Sequence, residues 1–195
     1  MSCTIVAIRM QEIQLTPTSY IVLGLLDQAS EATPYELKQM VDVSVGHFWS
    51  LPRSQLYAEP ARLARAGYLT ESQEQDGRRR KRYSLTERGR DALGRWTGAP
   101  TQQITELRDL AFLKLYFGAD PAAMAEAQLA ALQPLLKTYQ AMRTANTGEK
   151  PRGPRQTVEA GIDYVKASIR AWERIAHEAA LGAVGAARTQ TERRR

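Results

Sequence analysis

The sequence predicts a mainly α-helical protein with one small β-hairpin, organised in two parts of different character. Three observations lead to this prediction. Helix-start signals recur at short intervals in the first half of the chain. An Asp-Gly pair at residues 76 and 77 lies between two β-prone runs, as in a hairpin tip. In the second half, apolar residues recur at alternating spacings of four and three, which is typical of long packed helices.

The first two predicted helices have clear N-terminal signals. Thr16 can cap a helix whose first position is Pro17, a residue that suits this position because it lacks an N–H group. Thr33 and Glu36 have the spacing of a capping box, in which each side chain accepts a hydrogen bond from the backbone N–H of the other. We therefore expect helices to begin directly after Thr16 and Thr33.

A third helix is expected to open at Ser50 or Leu51 and to end at Gly67, which can adopt the left-handed conformation of a helix cap. Pro52 then falls near the first turn. Pro60 falls inside the helix, where it removes a backbone donor and either kinks the helix or shortens its regular part. The sequence leaves these two outcomes open.

Five consecutive basic residues follow the hairpin tip. Residues 68–85 form the predicted hairpin, and a fourth helix follows it from the capping residue Thr86 to Gly98. The basic run on the outgoing strand consists of Arg78, Arg79, Arg80, Lys81 and Arg82. Helix, helix, helix, hairpin, helix is the order of a winged helix-turn-helix domain. In that fold the third helix enters the DNA major groove and the hairpin contacts the backbone or the minor groove.

The second half predicts an α-helical dimerisation domain. Residues 104–117 form a helix that is apolar nearly all round and must be buried on more than one side. Two longer helices with heptad stripes follow; the first is kinked at Pro134, and a flexible loop at 147–155 joins them. Because three such helices cannot bury all their apolar residues alone, we expect a homodimer. The expected dimerisation residues are Leu129, Leu132, Leu136, Val158, Ile162, Val165, Ile169 and Trp172.

These elements divide the chain into five segments. The expected segments are a disordered N-terminal extension at 1–14, a DNA-binding domain at 15–97, a linker at 98–103, the helical domain at 104–182 and a basic tail at 183–195. A two-fold dimer of this kind presents two reading helices. It therefore predicts a palindromic double-stranded DNA operator whose half-sites lie about 10 to 10.5 base pairs, or a multiple of that distance, apart.

Charge and composition favour a nucleic-acid partner and exclude several other classes of protein. Lys and Arg outnumber Asp and Glu by 27 to 21, which gives a formal net charge of +6. The single cysteine, Cys3, cannot form an internal disulfide, and no apolar stretch near the start approaches the roughly 20 residues of a membrane span, so a cytoplasmic protein is expected. No catalytic motif is present, and His47 and His177 are isolated from other metal ligands. We therefore expect no enzyme activity, no cofactor and no metal.

Four stretches of the first half form a recognisable pattern, and these are LTPTSYIVLGLL, TPYELKQMV, FWSLPRSQLYAEPARLARAGYL and RRRKRYSLTERGRDAL. In order and in spacing they resemble the PadR family of bacterial transcriptional regulators. The second half, from LRDLAFLKLYFGADP to DYVKASIRAWERIA, is similar to the longer branch of that family, which has a virulence-activator-like helical domain. The resemblance covers about residues 15–180. It implies a dimeric DNA-binding repressor whose operator complex is loosened by an effector or a stress signal.

The resemblance places a DNA-reading surface on Ser54, Gln55 and Tyr57, with Arg53 beside them. Residue chemistry agrees, because Gln can bond an adenine edge and Arg can bind guanine or phosphate. The alternative is an exposed polar helix start. The basic run is expected to contact phosphates, with two or three of its five cations facing DNA at once, or else to be a solvated loop.

Three tryptophans, Trp49, Trp96 and Trp172, are candidate contacts for a small-molecule effector of unknown identity, because aromatic rings stack on planar or cationic ligands. The simpler interpretation is that Trp49 and Phe48 belong to the core and that Trp96 and Trp172 fill the helix seam. Two other functions stay open, a protein-interaction adaptor that uses a winged-helix fold and a non-specific nucleic-acid binder.

Overall fold

The computed structural model describes residues 13–73, 79–104, 106, 108–145 and 152–192. It consists of two compact units, the first ending at Gln103 and the second beginning at Ile104. The prediction of a mainly α-helical fold with a small hairpin is confirmed. Residues 1–12, most of the predicted N-terminal extension, lie outside the described residues, and Ile13 packs against the core of the first unit.

The first unit alternates helices and short strands in the order of a winged helix. Its described elements are α1 (Pro17–Ala29), β1 (Glu31–Ala32), α2 (Pro34–Asp42), a 3-10 turn (Val45–His47), α3 (Arg53–Arg65), β2 (Leu69–Gln73), β3 (Lys81–Leu85) and α4 (Glu87–Gly98). The hairpin formed by β2 and β3 is the wing.

Side-chain caps determine where the first helices begin. Thr16 accepts a hydrogen bond from the Ser19 N–H, and the Ser19 hydroxyl accepts one from the Thr16 N–H at 2.8 Å. Thr33 and Glu36 form the predicted capping box, with the Glu36 carboxylate 2.7 Å from the Thr33 nitrogen. Both helices begin at the residue after the capping threonine, as predicted.

The helix α3 begins later than the sequence suggests and is not interrupted. Pro52 has an extended backbone (φ −61°, ψ 127°) and occupies the cap position, so the helix starts at Arg53 rather than at Ser50 or Leu51. Gly67 ends the segment with φ 77°, the left-handed conformation that was expected. Pro60 is fully buried inside the continuous helix, so of the two outcomes that the sequence left open, shortening does not occur.

The sheet of the first unit has three strands, one more than the hairpin predicts. All neighbours are antiparallel, and β3 lies in the centre between β1 and β2. Tyr83 on β3 pairs with Ala32 on one side and with Glu71 on the other. The sequence does not predict β1 because a strand of two residues has no alternation of apolar and polar positions to detect.

The core of the first unit is built from one face of each helix and the inner face of the sheet. Its buried apolar residues are Val22, Leu23, Leu25, Leu26, Ala32, Leu37, Val41, Leu56, Leu63, Ala66, Tyr68, Leu69, Tyr83, Leu85 and Ala92. The α3 residues Leu56 and Leu63 belong to this core. Their burial fixes which face of α3 remains outside.

The second unit is α-helical in its described residues, which form α5 (Leu110–Tyr116), α6 (Pro121–Ala145) and α7 (Arg152–Glu192). The helix α5 starts later than the predicted position 104 because the Asp109 carboxylate caps it, accepting from the backbone N–H groups of Ala111 and Phe112. The long helix α6 continues through Pro134. Among the described residues, no helix combines the length and the apolar content that a membrane crossing requires.

The last helix is longer than predicted at both ends. Residues 152–155 were expected in the flexible loop, yet they form the first turn of α7. Pro154 is tolerated there because the N–H groups of a first helical turn have no intrahelical acceptor. Helix α7 also continues through residues 183–192, which were expected to be a basic tail.

The heptad stripes predicted for dimerisation face each other within one chain. Ile162 and Val165 on α7 are buried against a set that includes Leu132 and Leu136 on α6, with Val158 and Ile169 at the edge of the same cluster. Trp172 is 1% exposed in a second cluster, which also contains Leu129. A neighbouring helix of the same chain therefore buries Ile162, Val165 and Trp172, since it satisfies a heptad stripe as well as a second copy would. The other five residues are only partly buried, and their role in dimerisation stays a prediction.

Close helix packing in both units depends on glycine. A Cβ atom on Gly161 in α7 would lie 2.9 Å from Cε2 of Tyr139 in α6. In α4, a Cβ atom on Gly89 would overlap the backbone oxygen of Tyr68. The Tyr68 oxygen also accepts a hydrogen bond from the Thr86 N–H, so it cannot move without disturbing the start of α4.

We predict that Gly89→Ala destabilises the protein by about 1–3 kcal/mol, because the new methyl group overlaps a fixed backbone atom. The matched control is Gly94→Ala in the same helix, where a Cβ meets nothing within 4 Å. This control should be neutral or more stable by up to about 1 kcal/mol, since alanine favours helix over glycine. Denaturant unfolding of the two variants measures both values, and equal effects would contradict the close approach at Tyr68.

Candidate nucleic-acid interface

The first two turns of α3 present the side chains that the sequence suggested for DNA reading. Arg53, Ser54, Gln55 and Tyr57 are all exposed, while Leu56 between them is 2% exposed in the core. The buried leucine fixes the rotation of the helix, so Arg53, Ser54 and Tyr57 stand on its outer side. Gln55 lies at the edge of that side, toward α1. Hydroxyl, amide and guanidinium groups on an exposed helix can bond both base edges and phosphates.

A contact with α1 orients the amide of Gln55. The Thr18 hydroxyl, at the start of α1, donates to Gln55 Oε1 at 3.4 Å. Since this hydrogen bond uses the amide oxygen, the NH₂ group of Gln55 is the part most available for an external acceptor.

One turn further along α3, a buried carboxylate ties the helix to α1. Glu59 is 8% exposed, and its Oε1 atom accepts from the Ser19 hydroxyl at 2.6 Å. Arg62 completes the arrangement, because its Nε and Nη2 atoms donate to the two Glu59 carboxylate oxygens at 2.9 and 2.6 Å. Arg62 also donates to the Ser19 hydroxyl at 3.0 Å and to the Gln14 carbonyl at 3.3 Å. We refer to these three side chains as the Ser19–Glu59–Arg62 cluster.

The cluster keeps the Glu59 carboxylate ionised. Burial, the largest single influence, would raise the pKa of Glu59, but the hydrogen bonds from Arg62 and Ser19 and the positive charge of Arg62 together bring the pKa below its ordinary value. A buried carboxylate without such partners would take up a proton instead. The cluster is therefore a satisfied ion pair.

The basic run of the wing divides into two kinds of cation. Arg79 and Arg80 are exposed at the start of the outgoing side. Lys81 pairs with Glu71 across the hairpin at 2.7 Å. Arg82 contacts Glu31 on β1 at 2.9 Å and Glu36 on α2 at 3.7 Å. Arg78 lies outside the described residues.

Acidic neighbours thus offset the charge at the base of the wing: Glu31 and Glu36 hold Arg82 to the body of the first unit, and Glu71 pairs with Lys81 inside the wing. The hydrogen bond from the Thr33 N–H is the main cause of the lowered pKa of Glu36, and the Arg82 and Arg80 guanidinium groups lower this pKa further. Glu71 has a lowered pKa chiefly because Lys81 bonds to it, and the Tyr83 hydroxyl donates to the same carboxylate at 3.0 Å. Of the described basic residues in the run, Arg79 and Arg80 are the two without an ion pair inside the chain.

The three candidate effector contacts occupy three different environments. Trp49 is 45% exposed and its neighbour Phe48 is 58% exposed, so the interpretation that they are core residues is wrong. Trp96 is half exposed at the end of α4 and stacks on Tyr20 of α1, with ring centroids 4.5 Å apart. Trp172 is buried in the second unit and stacks on Phe112 at 4.7 Å, so it has no surface to offer a ligand.

No candidate metal site occurs among the residues that the structure describes. They contain no group of three or more His, Cys, Asp or Glu side chains that could hold a metal ion.

The comparisons with known proteins agree with this geometry. The family profile described as "Transcriptional regulator PadR-like family" matches residues 22–95, from α1 into α4. The negative transcriptional regulator PadR of Bacillus subtilis (strain 168) is 34% identical over 101 residues, which cover 50% of this chain. The same match covers 54% of the relative, so the chain spans about half the length of the curated protein that it matches.

Over residues 22–95 the chain is therefore similar to the PadR-like transcriptional regulator family. Solved structures of the family have the same fold. Bacillus subtilis PadR in complex with operator DNA aligns with a TM-score of 0.73 at 22% identity, over 85% of this chain and 99% of that one. The same protein in complex with p-coumaric acid aligns with a TM-score of 0.68 at 22% identity, over 85% of this chain and 98% of that one. The virulence activator AphA of Vibrio cholerae aligns with a TM-score of 0.66 at 25% identity, over 86% of this chain and 99% of that one.

The PadR-like family consists of transcriptional regulators and not of enzymes, which agrees with the lack of a catalytic motif in the sequence. The winged helix-turn-helix assignment is confirmed by the same comparisons.

Sequence reasoning missed the acidic residues that organise this candidate interface. Glu31, Glu59 and Glu71 each pair with a basic residue, and two of the three partners are far away in sequence or across a strand pair. The one local signal is Glu59 followed by Arg62, a spacing that places opposite charges on one side of a helix. Ser19 could not have been found in this way because its partner lies on another helix.

The Tyr83–Glu71 contact predicts an alkaline loss of stability in this PadR-like protein. Burial and the hydrogen bond to Glu71 raise the pKa of Tyr83 to about 12 from an ordinary value of 10.0. Because the raised pKa stabilises the neutral phenol, its contribution is complete below about pH 10 and is lost as the pH rises toward about 12. The expected loss in free energy of unfolding is on the order of 2 kcal/mol.

Tyr83→Phe should remove this part of the alkaline loss, as measured by denaturant unfolding at several pH values. Tyr20→Phe, at a partly exposed tyrosine of the same unit, serves as the control and should keep the wild-type profile. Identical profiles for wild type and Tyr83→Phe would contradict the assignment.

Proposed function

We propose that this protein is a sequence-specific DNA-binding transcriptional regulator that acts as a homodimer and represses its target. The observation that carries the proposal is that the polar start of α3 and the unpaired wing cations Arg79 and Arg80 are exposed in one compact unit. A helix for the major groove and a basic wing for the backbone are the two parts that a winged-helix DNA reader needs.

In the proposed complex, α3 enters the major groove with Arg53, Ser54, Gln55 and Tyr57 toward the DNA. The Gln55 NH₂ group would then meet a base acceptor such as N7 or O6 of guanine or O4 of thymine, because Thr18 already uses the amide oxygen. The wing adds phosphate contacts through Arg79 and Arg80, and through Arg78. Lys81 is paired with Glu71 inside the wing, and Arg82 holds the wing to β1 and α2.

A repressor role draws support from the curated relative, which is a negative transcriptional regulator. A structural neighbour binds operator DNA and p-coumaric acid. For this chain we propose double-stranded operator DNA as the partner and a small molecule as an effector. Trp49 and Trp96 remain candidate effector contacts because both are exposed. Trp172 is no longer a candidate because it is buried.

The proposed dimer uses the side of α5 that the second unit does not cover. Ala111, Phe112 and Leu115 pack inside the unit, whereas Leu110 and Leu113 are more than half exposed. Further exposed apolar residues next to them along the chain are Ile104, Tyr116 and Phe117. A short helix with apolar side chains on both sides requires a second covering surface, and a second copy supplies one. Such a dimer presents two reading helices to a palindromic operator, whose half-sites are spaced by about one helical turn, about 10 to 10.5 base pairs, or a multiple of it.

The experiment that tests the function is a binding titration of the full chain against the DNA just upstream of its own gene and against scrambled DNA of equal length. We expect a preference of about 10³ or more for the upstream fragment. Equal affinities would indicate non-specific binding and contradict the proposal for this DNA. Failure to bind either duplex at low salt would favour a protein-interaction adaptor.

The same titration at several salt concentrations separates the two kinds of wing cation. Arg79→Gln should reduce the slope of log affinity against log salt by about 0.9, the value for one lost phosphate contact. Lys81→Gln is the matched control, because it removes the same charge from a residue paired with Glu71, and its slope should stay at the wild-type value. Equal slopes for the two variants would contradict the division of the wing.

We predict that Leu113→Glu weakens the dimer, because it introduces a charge into an apolar contact. A roughly 100-fold rise in the dimer dissociation constant is expected from the cost of a buried unpaired carboxylate. The fold should survive, since Leu113 is 54% exposed in the single chain. Sedimentation over a range of protein concentrations measures the constant, with Lys114→Glu on the same helix as the control. An unchanged dissociation constant would contradict the proposal that α5 lies in the dimer interface.

A further inference from the structure

The Ser19–Glu59–Arg62 cluster contains more hydrogen bonds than the compensation of the Glu59 charge requires. Glu59 is the one charged residue that is buried in the described part of the chain. Its partner Arg62 lies three positions further along the same helix, so the ion pair is complete within α3. Buried ion pairs contribute little net stability compared with apolar residues of similar size. The extra bonds to Ser19 and to the Gln14 carbonyl therefore need another explanation.

These extra bonds restrict the orientation of α3 relative to α1. Apolar contacts such as those of Leu56 and Leu63 tolerate small rotations and shifts between helices, because dispersion and hydrophobic burial are not directional. Hydrogen bonds of 2.6 Å from Ser19 and 3.0 Å from Arg62 have narrow angular limits. They fix one rotation of α3 on α1.

The cluster also lies where the backbone hydrogen bonds of α3 are interrupted. Pro60 has no N–H group, so α3 lacks the hydrogen bond that would otherwise reach the carbonyl of Leu56. Glu59 and Arg62 flank Pro60 along the helix. Their hydrogen bonds to Ser19 and Gln14, which lie outside α3, stabilise this turn where one backbone hydrogen bond of the helix is missing.

The residues proposed to read DNA lie directly before that turn. Gln55 is four positions before Glu59 and therefore on the same side of α3. The two residues contact neighbouring positions of α1, since Thr18 bonds Gln55 and Ser19 bonds Glu59. A rotation of α3 at Glu59 would thus move Gln55 with it.

We propose that the Ser19–Glu59–Arg62 cluster is a positioning device that sets the orientation of the first two turns of α3 and thereby the discrimination between operator and other DNA. None of the three residues needs to touch DNA in this role. The inference rests on the proposed function, and it adds that discrimination and general DNA affinity depend on different residues.

Two variants test the inference in the full chain. Ser19→Ala removes the hydrogen bonds of the Ser19 hydroxyl to Glu59 and Arg62, and with them the bond that the hydroxyl accepts from the Thr16 N–H, and it leaves the Glu59–Arg62 ion pair in place. Glu59→Gln keeps the shape of the side chain and weakens both contacts. The matched control is Asp42→Asn, which removes the exposed ion pair of Asp42 with Lys38 on α2. Each protein is titrated against the duplex that the wild type prefers and against its scrambled counterpart, at several salt concentrations.

The expected result is that both cluster variants lose discrimination by about tenfold, while their affinity for scrambled DNA and their salt slope stay within about twofold of the wild type. The double variant should lose no more than the worse single variant, because both act through one contact. A parallel loss of affinity for both duplexes, or unchanged discrimination, would overturn the inference and leave the proposed function intact.

Folding is checked separately by far-ultraviolet circular dichroism and thermal unfolding of each variant. If Glu59→Gln does not fold, Ser19→Ala decides the question by the same criteria, and an unfolded Ser19→Ala would overturn the positioning role in favour of a structural one. A wild-type protein without preference between the duplexes would instead contradict the proposed function, and the inference would fall with it.

Discussion

The burial of one face of α3 against α1 is the constraint on which the rest of the interface depends. Leu56 and Leu63 are almost fully buried, and each such leucine contributes roughly 1.5–3 kcal/mol of hydrophobic stabilisation. With that face fixed, helical periodicity leaves Arg53, Ser54 and Tyr57 on the outer side. The directional bonds of Ser19, Glu59 and Arg62 then refine an arrangement that hydrophobic burial has already selected.

The wing follows a second constraint, which is the repulsion among neighbouring cations. Five adjacent positive charges would destabilise a short hairpin, and the protein offsets this with carboxylates from three elements, Glu31 on β1, Glu36 on α2 and Glu71 on β2. Because successive strand residues point to opposite faces, Lys81 and Arg82 find different partners. The hairpin is thus stabilised at its base and keeps its positive charge near its tip.

The parts of the fold that depend on local sequence could be predicted, whereas the parts that depend on distant residues could not. The caps at Thr16 and Thr33 follow from residues three positions apart, and both helix starts were correct. The strand β1 forms only because β3 pairs with it, so its two residues carry no signal of their own. The heptad stripes were recognised, but periodicity cannot distinguish a partner helix in the same chain from one in a second copy. The exposed residues of α3 were found through a family resemblance, and the cluster that holds that helix was not.

The aromatic residues give the two units distinct optical properties. In the first unit, Trp49 and Trp96 are each about half exposed, whereas in the second unit Trp172 is buried beneath Phe112. A quencher dissolved in water therefore reaches the tryptophans of the first unit and leaves the fluorescence of Trp172 intact. Quenching can thus follow the opening of each unit separately in the unlabelled protein.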